Sequence, residues 1–295
     1  MLIRMLAVLP ARIASPLLRF VMATTLAKQE PLARPFLTAQ WRWLAMLNYE
    51  VDPGLLAPYL PRGLEIDLYE GQALVSLVGF RFLRTAVLGC GVPCHRDFDE
   101  VNLRFYVKRE LEGETRRGVV FIREMVPKRM VAWIANWIYH ENYRTVAMRS
   151  EVVPPQETTP GRVSYAWNAG SPCCITATFS GKPAALTSGT LPDFILEHYW
   201  GYTLRRDGLT AEYQVEHPRW NVWFPEEATV EGDLEPYYGA AFARVLREPC
   251  SSALVADGSD VMVRRGRILP GSPAQAALSS QALASSTHVV LKKEG

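Results

Sequence analysis

Residues Val119 to Tyr143 read VVFIREMVPKRMVAWIANWIYHENY. The stretch opens as a strand. Val119, Phe121 and Met125 alternate with Val120, Ile122 and Val126, so both faces are apolar, as in a strand covered on both sides. Arg123 and Glu124 interrupt it near its end. Pro127 suits the first position of a helix, where its missing N–H leaves no bond unmade. Met130, Trp133, Ile134, Trp137 and Ile138 then recur at spacings of three and four, which predicts an amphipathic helix. Lys128 and Arg129 stand at the joint. The positive end of the helix dipole, Arg129 and the nearby Arg123 all disfavour a protonated Lys128. A lysine held neutral in this way is a nucleophile for carbonyl carbon. The alternative is a solvated first-turn lysine with no chemical role.

Working outward, Glu100 to Lys108 alternates cleanly. Val101, Leu103, Phe105 and Val107 form one face, and Glu100, Asn102, Arg104, Tyr106 and Lys108 the other. Either the polar face meets water, or it lines a barrel interior that holds a ligand. A turn near Glu112-Gly113 predicts a hairpin with the strand at 118–126. That hairpin brings Glu100 and Glu124 together only if register and face agree. Residues 37–51, LTAQWRWLAMLNYEV, read as a long strand on which simple alternation sets Arg42 beside Gln40, Leu44, Met46 and Asn48. Asp52-Pro53 starts a short helix. ALVSLVGFRFL (73–83) is a central strand, 144–153 another, and 162–168 with 173–180 a hairpin. Leu191 to Tyr202 is a helix candidate carrying Glu197 and His198. Tyr213–His217, Val222–Phe224, Ala228–Leu234 and Val261–Ile268 are short strand candidates. The pattern predicts a mainly β, α+β protein whose large antiparallel sheet curls or closes.

Composition narrows the function classes. With 295 residues and 48% hydrophobic content the chain can bury a large core, and its eight tryptophans and twelve tyrosines favour strands. A net charge of +2 gives no field for nucleic acid, and no apolar run is long enough for a spanning helix. Five cysteines do not make a disulfide framework in a chain this long; reduced thiols and a cytoplasmic location are expected. Cys90 and Cys94-His95 lack a second pair of metal ligands, and no phosphate-binding or nucleotide-binding glycine motif occurs, so no metal or cofactor is expected. Residues 1–35 carry Arg4, Arg12, Arg19, Lys28 and Arg34 against Glu30 alone. They read as a basic helical extension that docks on the main domain or a partner subunit, or makes peripheral membrane contact. Residues 36–270 are read as one domain, and 271–295 as a loosely held tail.

Two stretches resemble a known superfamily. NYEVDPGLLAPYLPRGLEID, from Asn48 to Asp67, resembles the opening of the acetoacetate decarboxylase-like proteins, and Arg123-Glu124-x-x-Pro127-Lys128-Arg129 resembles their lysine segment. WRWLAMLNYEVDP, LVSLVGFRFLRT, HRDFDEVNLRFYV and IANWIYHENY resemble the YqjF-like group of uncharacterised bacterial proteins within it, over about Trp41 to Arg267. The resemblance implies a closed, cone-like antiparallel β structure with two or three helices outside and a small-molecule cavity within. It implies that Lys128 forms a Schiff base with a small oxo acid, with Arg129 as the neighbouring cation. Glu100 then handles a proton, Arg42 meets a substrate carboxylate and Glu124 lies at the site. No cofactor is implied, and a homo-oligomer is expected. The rival expectation is a non-catalytic ligand-binding protein in which Lys128 pairs with Glu100 or Glu124.

Overall fold

The computed structural model describes residues 35–91, 95–111, 113–127, 143–205 and 207–269. The predicted helix after Pro127, Lys128 and Arg129 lie outside the described residues, as do the basic segment before residue 35 and the tail.

Apolar alternation becomes a ring of strands. In chain order the strands of the larger sheet are β1 (Leu37–Val51), β2 (Glu65–Ile66), β3 (Ala73–Val87), β4 (Phe98–Leu111), β5 (Glu114–Val126) and β6 (Tyr143–Thr145). It is completed by β10 (Trp200–Leu204), β11 (Thr210–Glu216), β12 (Val222–Trp223), β14 (Ser252–Val263) and β15 (Arg267–Ile268). The path β14-β1-β3-β4-β5-β10-β11 closes when β11 pairs with β14 through Val215↔Val263 and Glu216↔Met262. The ring is mixed rather than wholly antiparallel: β10 runs parallel to β5, as does the short β6 beside it. A four-stranded antiparallel sheet stands apart, in the order β13 (Glu227–Gly232), β9 (Pro172–Phe179), β8 (Gly161–Asn168) and β7 (Ala147–Val153).

Each face of the ring has its own core. One cluster gathers Met46, Val78, Phe80, Phe82, Phe98, Tyr106, Val119 and Val126. The other gathers Ala45, Leu47, Tyr49, Leu77, Leu103 and Phe105 with Tyr165, Trp167, Ile175 and Phe179 of the second sheet. The helices are α1 (Pro53–Leu56), α2 (Leu191–Leu196) and α3 (Glu235–Arg247). α1 is capped as expected, Asp52 accepting from the Gly54 N–H at 2.7 Å. α3 joins the second cluster through Tyr237, Tyr238, Phe242 and Leu246, whereas α2 sends Phe194, Ile195 and Leu196 into the first. None of the helices among the described residues is long and apolar enough to cross a membrane.

Polar ties cross the strands. Ser76 donates to Asn48 Oδ1 at 2.6 Å and meets the Tyr106 hydroxyl, and Asn48 Nδ2 donates to Ser252 Oγ at 3.0 Å, so β14, β1, β3 and β4 share one buried network. The fully buried Glu212 carboxylate on β11 takes Arg109, Arg116 and Arg267 at 3.3, 3.3 and 2.6 Å, joining β4, β5 and β15.

Three expectations are corrected. The helix over Leu191–Tyr202 stops at Leu196, because Trp200 to Leu204 pair with β5 and β11. Backbones approach closely there: a Cβ on Gly118 would strike Tyr202 and the Trp200 carbonyl. The strand expected at Val261–Ile268 is divided: its first three residues end β14, which begins at Ser252 and runs through Asp257-Gly258, and Arg267–Ile268 form the separate β15. Finally, β1 does not alternate throughout. Trp43 has a φ of 55°, and the β1–β3 register slips between Arg42 and Ala45, which marks a bulge. Before it Leu37, Ala39 and Trp41 face the first cluster; after it Leu44 and Met46 do. Trp43 itself turns to the second sheet, meeting Phe179 of β9 at 6.5 Å, stacks on Trp223 of β12 at 5.9 Å, and its carbonyl accepts from the Tyr165 hydroxyl at 2.6 Å.

Gly258 sits opposite Arg42 with a φ of 84°, where a Cβ would collide with the Trp41 carbonyl oxygen. Gly258→Ala is therefore expected to lower unfolding free energy by at least about 2 kcal/mol, measured by urea titration. An unchanged midpoint would mean that the bulge relaxes freely.

Candidate functional site

Side chains from every strand of the ring line a cavity of about 160 Å³. Trp41 and Leu44 come from β1, Val78, Phe80 and Phe82 from β3, and Phe98, Glu100, Asn102 and Arg104 from β4. Val119, Phe121 and Glu124 come from β5, Trp200 from β10, Tyr213 and Val215 from β11 and Val263 from β14, with Tyr143, Leu196, His198, His217 and Trp220 completing the wall. The walls are mainly aromatic: Trp41 meets Phe80, Phe82 and Trp220 edge-on at 5.4, 5.7 and 6.4 Å.

The β4 alternation explains the polar groups. Glu100, Asn102 and Arg104 share its cavity face, so the polar side of this strand is turned inward. In the hairpin Asn102 stands opposite Glu124, so register and face agree and the two glutamates occupy one neighbourhood. Both are almost fully buried. Asn102 Nδ2 donates to Glu100 Oε1 at 2.9 Å, and the Tyr143 hydroxyl donates to Oε2 at 3.3 Å. β5 ends two residues beyond Glu124, at Val126, and Lys128 follows two residues later in sequence.

Arg42 is placed elsewhere. The bulge at Trp43 separates it from Leu44, and it faces away from the cavity toward Asp257 at 3.2 Å and the Gly258 carbonyl at 3.3 Å. Simple alternation failed because one inserted residue reverses every later side chain. Among the described residues, the arginine that lines the cavity is Arg104.

A second polar group was not foreseen. His198 Nε2 lies 3.2 Å from Asp67 Oδ2, and Arg117 Nε donates to the same oxygen at 2.6 Å. Burial pushes Asp67 up, but the hydrogen bonds from His198 and Arg117 and the Arg117 charge outweigh it and hold the carboxyl below its usual range. Burial pushes His198 down to about 4, against the pull of Asp67. The imidazole is thus neutral, donates from Nε2, and presents an Nδ1 lone pair that is buried without a partner among the described residues. Its ring packs on Tyr106 and Phe194 at 4.8 and 5.0 Å. Asp67 and His198 are far apart in sequence and share no motif, so only the fold could bring them together. Among the described residues no group of three or more His, Cys, Asp or Glu converges as a metal site requires.

The DUF2071 family of uncharacterized conserved proteins matches residues 38–260. The chain belongs to that family. It is 31% identical over 200 residues to the uncharacterized protein YqjF of Bacillus subtilis (strain 168), a match covering 65% of this chain and 75% of YqjF. Solved structures of similar fold include the acetoacetate decarboxylase of Legionella pneumophila, with a TM-score of 0.58, 14% identity and coverage of 80% of this chain and 87% of that one. The enduracididine biosynthesis enzyme MppR in complex with pyruvate aligns with a TM-score of 0.57 at 14% identity, over 82% and 93% of the two chains. An acetoacetate decarboxylase-like enzyme from Sphingomonas wittichii RW1 aligns with a TM-score of 0.58 at 15% identity, over 80% and 94%. At these identities the likeness establishes that this DUF2071 protein has the acetoacetate decarboxylase-like fold.

Burial of neutral His198 predicts a pH dependence of stability. Above its ordinary value of 6.5 the contribution is complete. As pH falls from there to about 4, the unfolded chain takes up a proton that the folded chain refuses. Stability then falls by up to about 1.4 kcal/mol per pH unit from this group, and the loss flattens below the folded value. Urea unfolding across that range should show the slope in the wild type and a shallower one in His198→Phe. Equal slopes would show that the imidazole titrates normally in the fold.

Proposed function

We propose that this protein is a Schiff-base-forming lyase of the decarboxylase or aldolase-dehydratase type, acting on an oxo acid in the ring cavity through Lys128. The observation that carries the reading is the pair of buried carboxylates, Glu100 and Glu124, on the cavity wall beside the end of the strand that leads into Lys128. The Lys128 amine would add to the ligand's carbonyl and lose water to give an iminium. The iminium is an electron sink that allows loss of CO2, aldol chemistry or dehydration. Glu100, oriented by Asn102 and Tyr143, is the candidate proton carrier, and Glu124 lines the same end. Arg129 supplies the neighbouring positive charge that favours the neutral amine. The acetoacetate decarboxylase and the pyruvate complex of MppR among proteins of like fold support the reaction class.

The same two glutamates favour a second reading. A lysine that pairs with Glu100 or Glu124 stays protonated, and the cavity then only binds its ligand. One experiment separates the two. The protein is incubated with acetoacetate, pyruvate or a small diketone, reduced with borohydride, and weighed intact. A covalent adduct on the wild type that is absent from Lys128→Ala is expected, with formation slowed about a hundredfold or more in Glu100→Gln. Wild-type protein that stays unmodified by all of them would favour the binding reading.

A further inference from the structure

The four-stranded sheet has two unlike faces. Val163, Tyr165 and Trp167 of β8 and Ile175, Ala177 and Phe179 of β9 are buried against the ring. The alternate residues form three rows across the outer face. The first row runs Arg149, Ala166, Cys174, Glu231 from β7 to β13. The second runs Glu151, Ser164, Thr176, Thr229, and the third Val153, Arg162, Thr178, Glu227. The middle of this face is flat, because Ala166, Ser164, Cys174 and Thr176 are short. Their polar atoms serve one another: Cys174 Sγ lies 3.1 Å from Ser164 Oγ and 3.6 Å from Thr176 Oγ1. Covering them therefore leaves few polar groups unpaired.

The charges flank that strip. Arg149 stands on β7 and Arg162 on β8, while Glu227 and Glu231 stand on β13. All four are exposed, and none of them forms an ion pair among the described residues. Arg149 and Glu231 end the same row, three strand spacings or roughly 14 Å apart, so the two do not meet within one chain. Glu151 lies between the two arginine rows on β7 and faces outward with them.

We propose that a second copy of this chain packs on the outer face, about a two-fold axis nearly parallel to the strands. Such an axis lays β7 of one copy over β13 of the other and keeps the rows in step. Arg149 of each copy then meets Glu231 of the other, so the contact is made twice by symmetry. Arg162 lies over Thr178 and beside Glu227, Glu151 lies over Thr229, and Ala166 lies over Cys174. An axis across the strands would lay β7 over β7 instead. It would set Glu151 against its own copy and Arg149 against Val153, losing both ion pairs and adding a like-charge contact. The charge pattern thus selects the first axis. The short central side chains let the two sheets approach to about 10 Å, the usual spacing of packed sheets. Three rows on four strands cover roughly 400 Å² per copy, about half of a standard interface, so the dimer is weak and exchanges readily.

The test uses the full chain without ligand, so its outcome is independent of the chemistry proposed for the cavity. Sedimentation velocity over a concentration series should show wild-type monomer passing to dimer with a midpoint on the order of tens of micromolar. Arg149→Glu and Glu231→Arg should each weaken association about tenfold or more. An equimolar mixture of the two variants should recover the wild-type value, and so should one chain carrying both changes, because each restores both opposite-charge pairs. Both side chains are exposed, and an unchanged urea midpoint checks that the fold is intact. Ser164→Arg, at the flat centre, should abolish the dimer without touching either margin. A wild-type protein that stays monomeric throughout overturns the proposal and leaves the face to a different occupant. A dimer that ignores the charge swaps, a loss that neither the mixture nor the double variant recovers, or a dimer that survives Ser164→Arg also overturns it.

Discussion

The ring has to close, and its closure depends on a narrow seam. β11 and β14 share only the pairs Val215↔Val263 and Glu216↔Met262, while β14 is held along most of its length by β1. A sheet left open at that seam would expose unpaired backbone groups on two edges. With the seam made, one face of every strand turns inward, and the interior side chains must either fill the space or line it. Aromatic residues fill much of it, and Glu100, Asn102, Arg104 and His198 line what remains. The ion pair of Glu216 with Arg264, one residue past the paired Val263, braces the seam at 2.6 Å.

Much of this was legible in the residues. The alternation of Glu100 to Lys108 and the turn at Gly113, which takes a φ of 87°, specify the hairpin and its faces. That hairpin delivers both glutamates to the cavity. What alternation could not reveal is where it breaks. The bulge at Trp43 has no local signature, since Trp-Arg-Trp reads as ordinary strand, and it is enforced from β14 by Gly258. Alternation therefore set Arg42 on one face with Leu44 and Met46, whereas the bulge sends it toward Asp257. The Asp257-Gly258 pair hid β14 in the same way, because a glycine with positive φ inside a strand reads as a turn when its partner strand is unknown.

Long-range electrostatics were equally silent. Arg104 appears in the sequence as one polar position among several on β4. That it forms no ion pair among the described residues emerges only in the fold, where Asp67 is held by Arg117 and Glu197 by Tyr199 and Arg219. Such an arrangement is a property of the fold, and no window of residues contains it.

The parity change in β1 also bears on how such a protein diverges. On one side of Trp43 the strand lines the cavity through Trp41; on the other face Trp43, Ala45 and Leu47 answer to the second sheet. Because neighbouring residues serve separate masters, an exchange at Trp41 can reshape the interior without disturbing the inter-sheet contact, and repacking around Trp43 can proceed without touching the cavity wall. A chain built this way can drift in specificity and in stability along nearly independent axes. Deleting Trp43 would restore plain alternation and leave both flanking sets on their faces, yet it would remove the one side chain that the extra residue delivers to the inter-sheet contact.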